Sequence, residues 1–502
     1  MNKILTLLSV FAFTTSVYAQ KYTSEIKVLD HEKWWQAEQS KNSVLDLQKT
    51  SDSQYLLDSD INTTSLLVSS KGRYVWSEYP FSYTFGDNGA LTIASNFAKL
   101  EVMTVGKSLR EAYLIASYNH FKPSDKMPLD YFITKPQYIV TEKDAEGLTQ
   151  DNIVAYAKTL IDKGLPVGTL VIDNLWQKHY GNYEIRADIF SDPKAMVDEL
   201  HKLGFKVVLT VFPFVSPDSP EYRDFAAKGY LVKDDVTNKT KLIEWYSGFS
   251  SCLDFTNDDV IAYINDKLSG LKNEYGIDGF VFEDDRYGKV WEMGLKPSSQ
   301  LLTDENLSWE GLKTVIPNAF ESGFASRNYF SAGLATVIKD TIDTDEQRVI
   351  NQMLTVRVVQ MQALMPMMQF SLSSCVTLDE EYLGYCREAI KLREKIAPFI
   401  LQLAVESSES GAPIIRHLDY EFPGKGFANC EDQFMLGNKY LVVPVVSEDT
   451  NRKVRLPNGK WVDDRGVSYK GPLVFNVNVE AGRLLYFEHL SNNKFKLSMK
   501  KK

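Results

Sequence analysis

Between Thr149 and about Ser371 the chain alternates two apolar rhythms. Stretches in which apolar residues return every three or four positions are followed by short continuous apolar runs, a pattern that predicts parallel strands joined by crossover helices. Three such units are distinct. Thr149 is placed to cap a helix whose apolar positions are Ile153, Ala157, Leu160 and Ile161; Gly164 ends it, and the run from Gly168 to Asp173 reads as the next strand. Asp192 caps a second helix, with Pro193 in its first turn and Met196, Val197, Leu200 and Leu203 on one face, before Gly204 and a strand from Lys206 to Phe214. A third helix starts near Asp258, turns Ile261, Ile264, Leu268 and Leu271 inward, and leads through Gly276 to a strand from Gly279 to Glu283.

An open doubly wound sheet has the same alternation, but no G-x-G-x-x-G follows a strand and there is no P-loop. Polar residues stand instead at the C-terminal ends of successive strands, where barrels of this class build their sites. The expected fold is therefore α/β, a (β/α)8 TIM barrel over residues 131–404. Residues 20–130 and 405–490 change rhythm to alternating apolar and polar positions separated by Gly, Asn and Asp, as from Lys439 to Val446 and from Arg483 to Phe487. They predict flanking N-terminal and C-terminal β-sandwich domains.

Composition narrows the class further. With 44% hydrophobic and 24% charged residues the chain is neither disordered nor fibrous. Its net charge of −10 supplies no basic field for a phosphate backbone, which disfavours nucleic acid as a partner. Residues 1–19 carry Lys3, an apolar stretch from Ile4 to Phe13, and Val17-Tyr18-Ala19 ahead of Gln20, the layout of a secretory signal peptide. That apolar stretch is too short to span a bilayer and no other run is long enough, so the expectation is export to a periplasm or the cell exterior. The four cysteines have no C-x-x-C spacing, and no disulfide is assigned. Residues 491–502 read as a solvated basic tail.

Chemistry is sought at the strand ends. Asp173, Asn174, Trp176 and Gln177 put a carboxylate, two amides and an indole together, the mixture that grips ring hydroxyls and covers the apolar face of a sugar. Asp173 as a simple helix cap and Trp176 as a core residue are the plainer readings. At the strand ending Phe282-Glu283-Asp284-Asp285-Arg286, alternation sets Val281 and Glu283 on one side, opposite Phe280 and Phe282. A solvated acidic turn neutralised by Arg286 is the alternative there. Leu301-Leu302-Thr303-Asp304 brings another acid to a following segment. Two carboxyl groups on neighbouring strand ends can divide glycosidic cleavage between a nucleophile and an acid. The six scattered histidines point to no metal site, and no G-x-S-x-G supports a serine esterase.

Ordered motifs from about residue 130 to 488 resemble glycoside hydrolase family 31, in the branch of the myogenesis-regulating glycosidase and bacterial α-galactosidase-like enzymes. They include Val171-Ile-Asp-Asn-Leu-Trp-Gln177, Leu200-His-Lys-Leu-Gly-Phe-Lys-Val207, Pro213-Phe-Val-Ser-Pro-Asp218, Tyr275-Gly-Ile-Asp-Gly-Phe280, Ala363-Leu-Met-Pro-Met-Met-Gln-Phe-Ser371 and Glu431-Asp-Gln-Phe-Met-Leu-Gly437. The resemblance implies a barrel between β domains and retaining hydrolysis of α-linked sugars by two carboxylates, without metal or organic cofactor. It carries the nucleophile onto Glu283, where the branch usually has Asp in G-F-K-F-D, with Asp284 the neighbouring alternative, and the acid/base onto Asp304. Trp245 stands where the family has paired tryptophans and is expected at a stacking wall. The expected partner is a carbohydrate. Two other readings stay open: a chain that binds carbohydrate without cleaving it, and a structural use of an inherited barrel.

Overall fold

The computed structural model describes residues 22–37, 62–87, 89–95, 99–140, 149–173, 176–234, 237–245, 248–282, 294–295, 299–300, 307–333, 345–371 and 377–490. Residues 1–19, the expected signal peptide, and residues 491–502, the expected basic tail, lie outside them.

The chain opens with an antiparallel sheet of β1 (Tyr22–Lys27), β2 (Trp34–Gln36), β3 (Asn62–Ser69), β4 (Arg73–Phe85), β5 (Ala90–Ser95) and β6 (Glu101–Thr104). The long β4 pairs with β6 at its start and with β5 at its end, so one strand serves two neighbours on the same edge. Period-two alternation divides its residues. Leu67, Val75, Phe81, Leu91 and Ile93 close a local core, while Leu66, Val68 and Tyr74 join the main core together with the helix Leu109–His120.

The middle of the chain is the barrel. Its strands are β7 (Gln137–Val140), β8 (Thr169–Ile172) and β9 (Lys206–Val211). A three-stranded excursion follows, made of β10 (Phe214–Val215), β11 (Leu242–Trp245) and β12 (Gly248–Cys252). The barrel resumes with β13 (Gly279–Phe282), β14 (Gly294–Leu295), β15 (Ser299–Gln300), β16 (Phe330–Ser331) and β17 (Gln369–Ser371). The parallel ladder runs β17, β7, β8, β9, β13, β14, and β15 pairs parallel with β16. Met367 N donates to Phe330 O at 3.1 Å, bringing β16 to the start of β17. This is the eight-strand order of a TIM barrel, with the described ladder interrupted between β14 and β15 and joined between β16 and β17 only through the Met367–Phe330 bond.

The predicted caps form. Thr149 accepts from Asn152 N at the start of the helix Gln150–Asp162, and Asp192 accepts from Ala195 N at the start of Pro193–Lys202. Asn257 does the same for Asp258–Tyr275, which Gly276 closes at φ +82°. Two details differ from the sequence pattern. Ile161 is 39% exposed, and Val260 in place of Ile261 joins Ile264, Leu268 and Leu271 in the buried stripe of the third helix, because the 260, 264, 268, 271 row follows the helical period more closely. The second strand stops at Val211; Pro213 has no N–H to continue a ladder, so Phe214 begins the separate β10.

Side chains inside the barrel divide into an apolar and a polar half. Val171, Val208, Val281 and Met367 meet Phe132 in an interior plug. The intervening Leu170, Ile172, Val207, Leu209, Phe280 and Phe282 face the helices in the main core. Opposite the plug, Ser331 Oγ donates to Gln369 Oε1 at 2.7 Å, Gln369 Nε2 to Gln137 Oε1 at 3.1 Å, and Gln137 Nε2 to Phe132 O at 3.0 Å. The amides thus satisfy one another where no water reaches.

The chain ends in a second antiparallel sheet of β18 (Ile415–Arg416), β19 (Phe434–Leu436), β20 (Tyr440–Val442), β21 (Asn451–Asp463), β22 (Ser468–Asn478) and β23 (Tyr486–His489). Its order is β18-β19-β20-β23-β21-β22, around a core of Met435, Leu441, Trp461 and Phe487. Cys252, Cys386 and Cys430 are buried free thiols.

Candidate active site at the barrel mouth

The alternation that puts Val171 and Val208 in the interior plug continues past the ends of their strands. On β8 it leads to Asp173, part-exposed at the mouth, whose N–H still donates to Val140 O at 3.1 Å. On β9 it leads through buried Thr210 to part-buried Phe212. Phe212 stands edge-to-face with Tyr180 at a ring separation of 6.2 Å, and stacks on Phe214 at 6.3 Å and 19°. An acid and an aromatic cluster therefore border the C-terminal ends of adjacent strands. The shared parity of residues 208, 210 and 212 is present in the sequence, whereas nothing in the linear pattern marks Tyr180 as their neighbour.

The loop after β8 is fastened over β9 by hydrogen bonds from two of its own aromatic residues, and is held from the other side by one from the helix Asp258–Tyr275. Trp176 Nε1 donates to Thr210 O at 2.8 Å, Tyr183 OH to Phe212 O at 3.2 Å, and Tyr263 OH to Gly181 O at 3.0 Å. Burial, followed by the charges of Glu221, Glu184 and Asp224, pushes the Tyr263 phenol up, so it remains a protonated donor. Gly181 is held at φ +94°, and a Cβ there would lie 2.9 Å from a Val215 methyl; glycine alone lets the loop come this close to β10.

These contacts revise one expected role. Trp176 is 1% exposed and packed in the main core, so its indole braces the loop and presents no face to a sugar. The plainer core reading holds for it, since its buried N–H is satisfied by the Thr210 carbonyl. Gln177 is 5% exposed, its backbone bridges to Ile185, and neither polar atom of its buried amide has a hydrogen-bond partner among the described residues. Trp245 ends β11, paired with Gly248, on the sheet that packs Ile243 and Cys252 against Phe212 and Tyr180. Its side chain is outside the description. Asn174, Glu283, Asp284 and Asp304 also lie outside the described residues.

Comparison with known proteins accounts for this architecture. Residues 138–290 match the glycosyl hydrolases family 31 TIM-barrel domain, and residues 411–489 match the glycosyl hydrolase family 31 C-terminal domain. The chain belongs to glycoside hydrolase family 31. Among its relatives is the mouse myogenesis-regulating glycosidase, 24% identical over 414 residues, covering 74% of this chain and 57% of that protein. Alpha-glucosidase 2 of Bacillus thermoamyloliquefaciens is 22% identical over 381 residues, covering 63% and 47%. The family 31 chain thus spans about half the length of these curated relatives. A Flavobacterium johnsoniae GH31 dextranase solved in complex with glucose shares the fold at a TM-score of 0.77 and 18% identity, over 93% of this chain and 66% of that one.

Proposed function

We propose that this family 31 chain is an exported glycosidase that cleaves α-linked glycosides with retention, using Glu283 as nucleophile and Asp304 as acid and base. The observation that carries the reading is Val281 in the interior plug of the barrel. Period-two alternation in the sequence gives Glu283 the parity of Val281, which supports Glu283 over the neighbouring Asp284 as the nucleophile. Asp173, on the same interior parity of β8, borders the same mouth.

In the proposed reaction a Glu283 oxygen attacks the anomeric carbon as the bond to the leaving oxygen breaks, and Asp304 protonates that oxygen. Asp304 then takes a proton from water, whose oxygen attacks the same carbon and releases Glu283. Two inversions preserve the α configuration. Retention requires the carboxyl groups to stand about 5–5.5 Å apart. Glutamate is one methylene longer than the aspartate usual in this branch, and a displacement of about 1 Å can cost about a hundredfold in rate. That departure also motivates the second reading, carbohydrate binding without turnover.

The deciding assay is release of nitrophenol from a panel of α-galactosides, α-glucosides, α-xylosides and α-sulfoquinovosides. Turnover abolished by Glu283→Gln and by Asp304→Asn, with the folded chain intact, is the expected result. Robust activity in both variants refutes the assignment; sugar binding without turnover in the parent chain selects the second reading.

A further inference from the structure

The junction between the barrel and the C-terminal sheet holds a cleft of about 330 Å³, within the size range of small-molecule sites. The helix Glu380–Ser410 supplies Glu388 and Leu392, and the C-terminal domain supplies Asp464, Arg465, Arg483 and Tyr486. We propose that this cleft is a second carbohydrate-binding site, separate from the barrel mouth, that takes a neutral oligosaccharide.

Preorganisation is the first argument. The loop that forms one wall is held by Arg357, which reaches the carbonyls of Val479 and Glu480 at 3.3 Å and Arg483 at 3.2 Å, while Gln360 Nε2 donates to Ala481 O at 2.8 Å. Gly482 lies so close to the Tyr385 ring that a Cβ would stand 2.8 Å from it, so bare backbone packs directly against that ring. A ligand therefore meets a wall already ordered, and little conformational entropy is lost on binding.

Charge pairing selects the class of ligand. Arg483 makes a two-pronged contact with Asp464, at 2.8 Å from both Nε and Nη2. Arg465 meets Glu480 at 2.9 Å, and Glu388 meets Lys391 at 2.6 Å. Each charge in the lining is already neutralised, so a phosphate or an ammonium ligand would have to break an existing pair. Neutral hydroxyls need not: the remaining lone pairs and N–H groups of fixed planar pairs accept and donate to them. Leu392, Leu484 and the ring of Tyr486 supply the apolar surface for sugar C–H groups.

The test uses the full chain carrying Glu283→Gln, titrated by calorimetry with isomaltotriose and separately with maltotriose. Two binding sites per chain are expected for at least one sugar. Adding Glu388→Ala with Arg465→Ala, both on the exposed rim, should remove one of them, and so should Leu392→Trp, which fills the cleft without touching its ion pairs. In the parent chain the same substitutions should leave kcat/KM on a nitrophenyl glycoside within about twofold. No binding before these substitutions, or binding that they leave unchanged, overturns the proposal, whereas a single site that they remove is the cleft itself. If Glu283→Gln with Asp304→Asn leaves turnover intact while the cleft still binds, the catalytic assignment fails and the cleft stands.

Discussion

Two buried side chains decide local stability by opposite means. His417 sits against the rings of Trp35 and Phe320, each at a centroid separation of 4.9 Å, and its Nδ1 accepts from Asp419 N at 3.0 Å. Burial pushes its pKa down to about 3, so the folded protein holds it neutral while the unfolded chain protonates it below its ordinary value of 6.5. Its contribution is therefore present above that value and is lost as pH falls from about 6.5 toward 3, with about 2 kcal/mol gone by pH 5. The neighbouring Asp419, raised by burial, acts in the opposite direction. Denaturant melts at pH 7.5 and pH 5 should show a smaller pH dependence in His417→Asn, which keeps an acceptor but does not titrate; an unchanged dependence would remove His417 as its source. Arg393, fully buried, gives its guanidinium to the carbonyls of Ile133, Met365 and Pro366 under the barrel, and burial holds it down to about 9. Arg393→Met strands three carbonyls and should cost about 2–4 kcal/mol by denaturant midpoint.

Among the elements, the loop between β8 and the helix Pro193–Lys202 bears most directly on the site, because it carries Trp176 and Gln177 and rests on β9 and β10. Gly181→Ala places a methyl against Val215 at a positive φ and should destabilise the protein by about 1–3 kcal/mol. A wild-type melting curve for that variant would show that the loop moves freely. The helices and their caps were legible in the sequence because a cap is a local event of three residues. The end of β9 was not, since Pro213 interrupts a run that is otherwise apolar through Phe214. Trp176 misled for a related reason: an indole at a strand end can face a pocket or a carbonyl, and only the position of Thr210, 34 residues away, settles which.

On the scale of the whole molecule, the C-terminal sheet is fastened to the barrel by buried arginines. Arg416, 2% exposed, contacts Glu421 at 2.7 Å and Glu406 at 2.8 Å, linking the sheet to the long helix Glu380–Ser410. Burial works against its charge, but the two carboxylates overcome this and hold the guanidinium above its ordinary value. Arg416→Met leaves both acids without it and should cost about 3–5 kcal/mol, read as a lower thermal midpoint and faster proteolysis between barrel and sheet. An unshifted midpoint would mean that the apolar contacts alone hold the domains together.

The sequence by itself determined the alternating rhythm, the helix caps and the family, because these reside in short-range periodicity and ordered motifs. It also set the parity of Val171, Val208 and Val281, though not which parity was inside. Tertiary structure decided that, by closing those three valines on Phe132 and Met367 from distant parts of the chain. It likewise decided that Trp176 is a brace, that Phe212 and Tyr180 border the mouth, and that Arg357 and Arg416 secure the last domain. Each of these depends on a partner at long sequence separation, and linear periodicity carries no information about which distant carbonyl or ring will meet a given side chain.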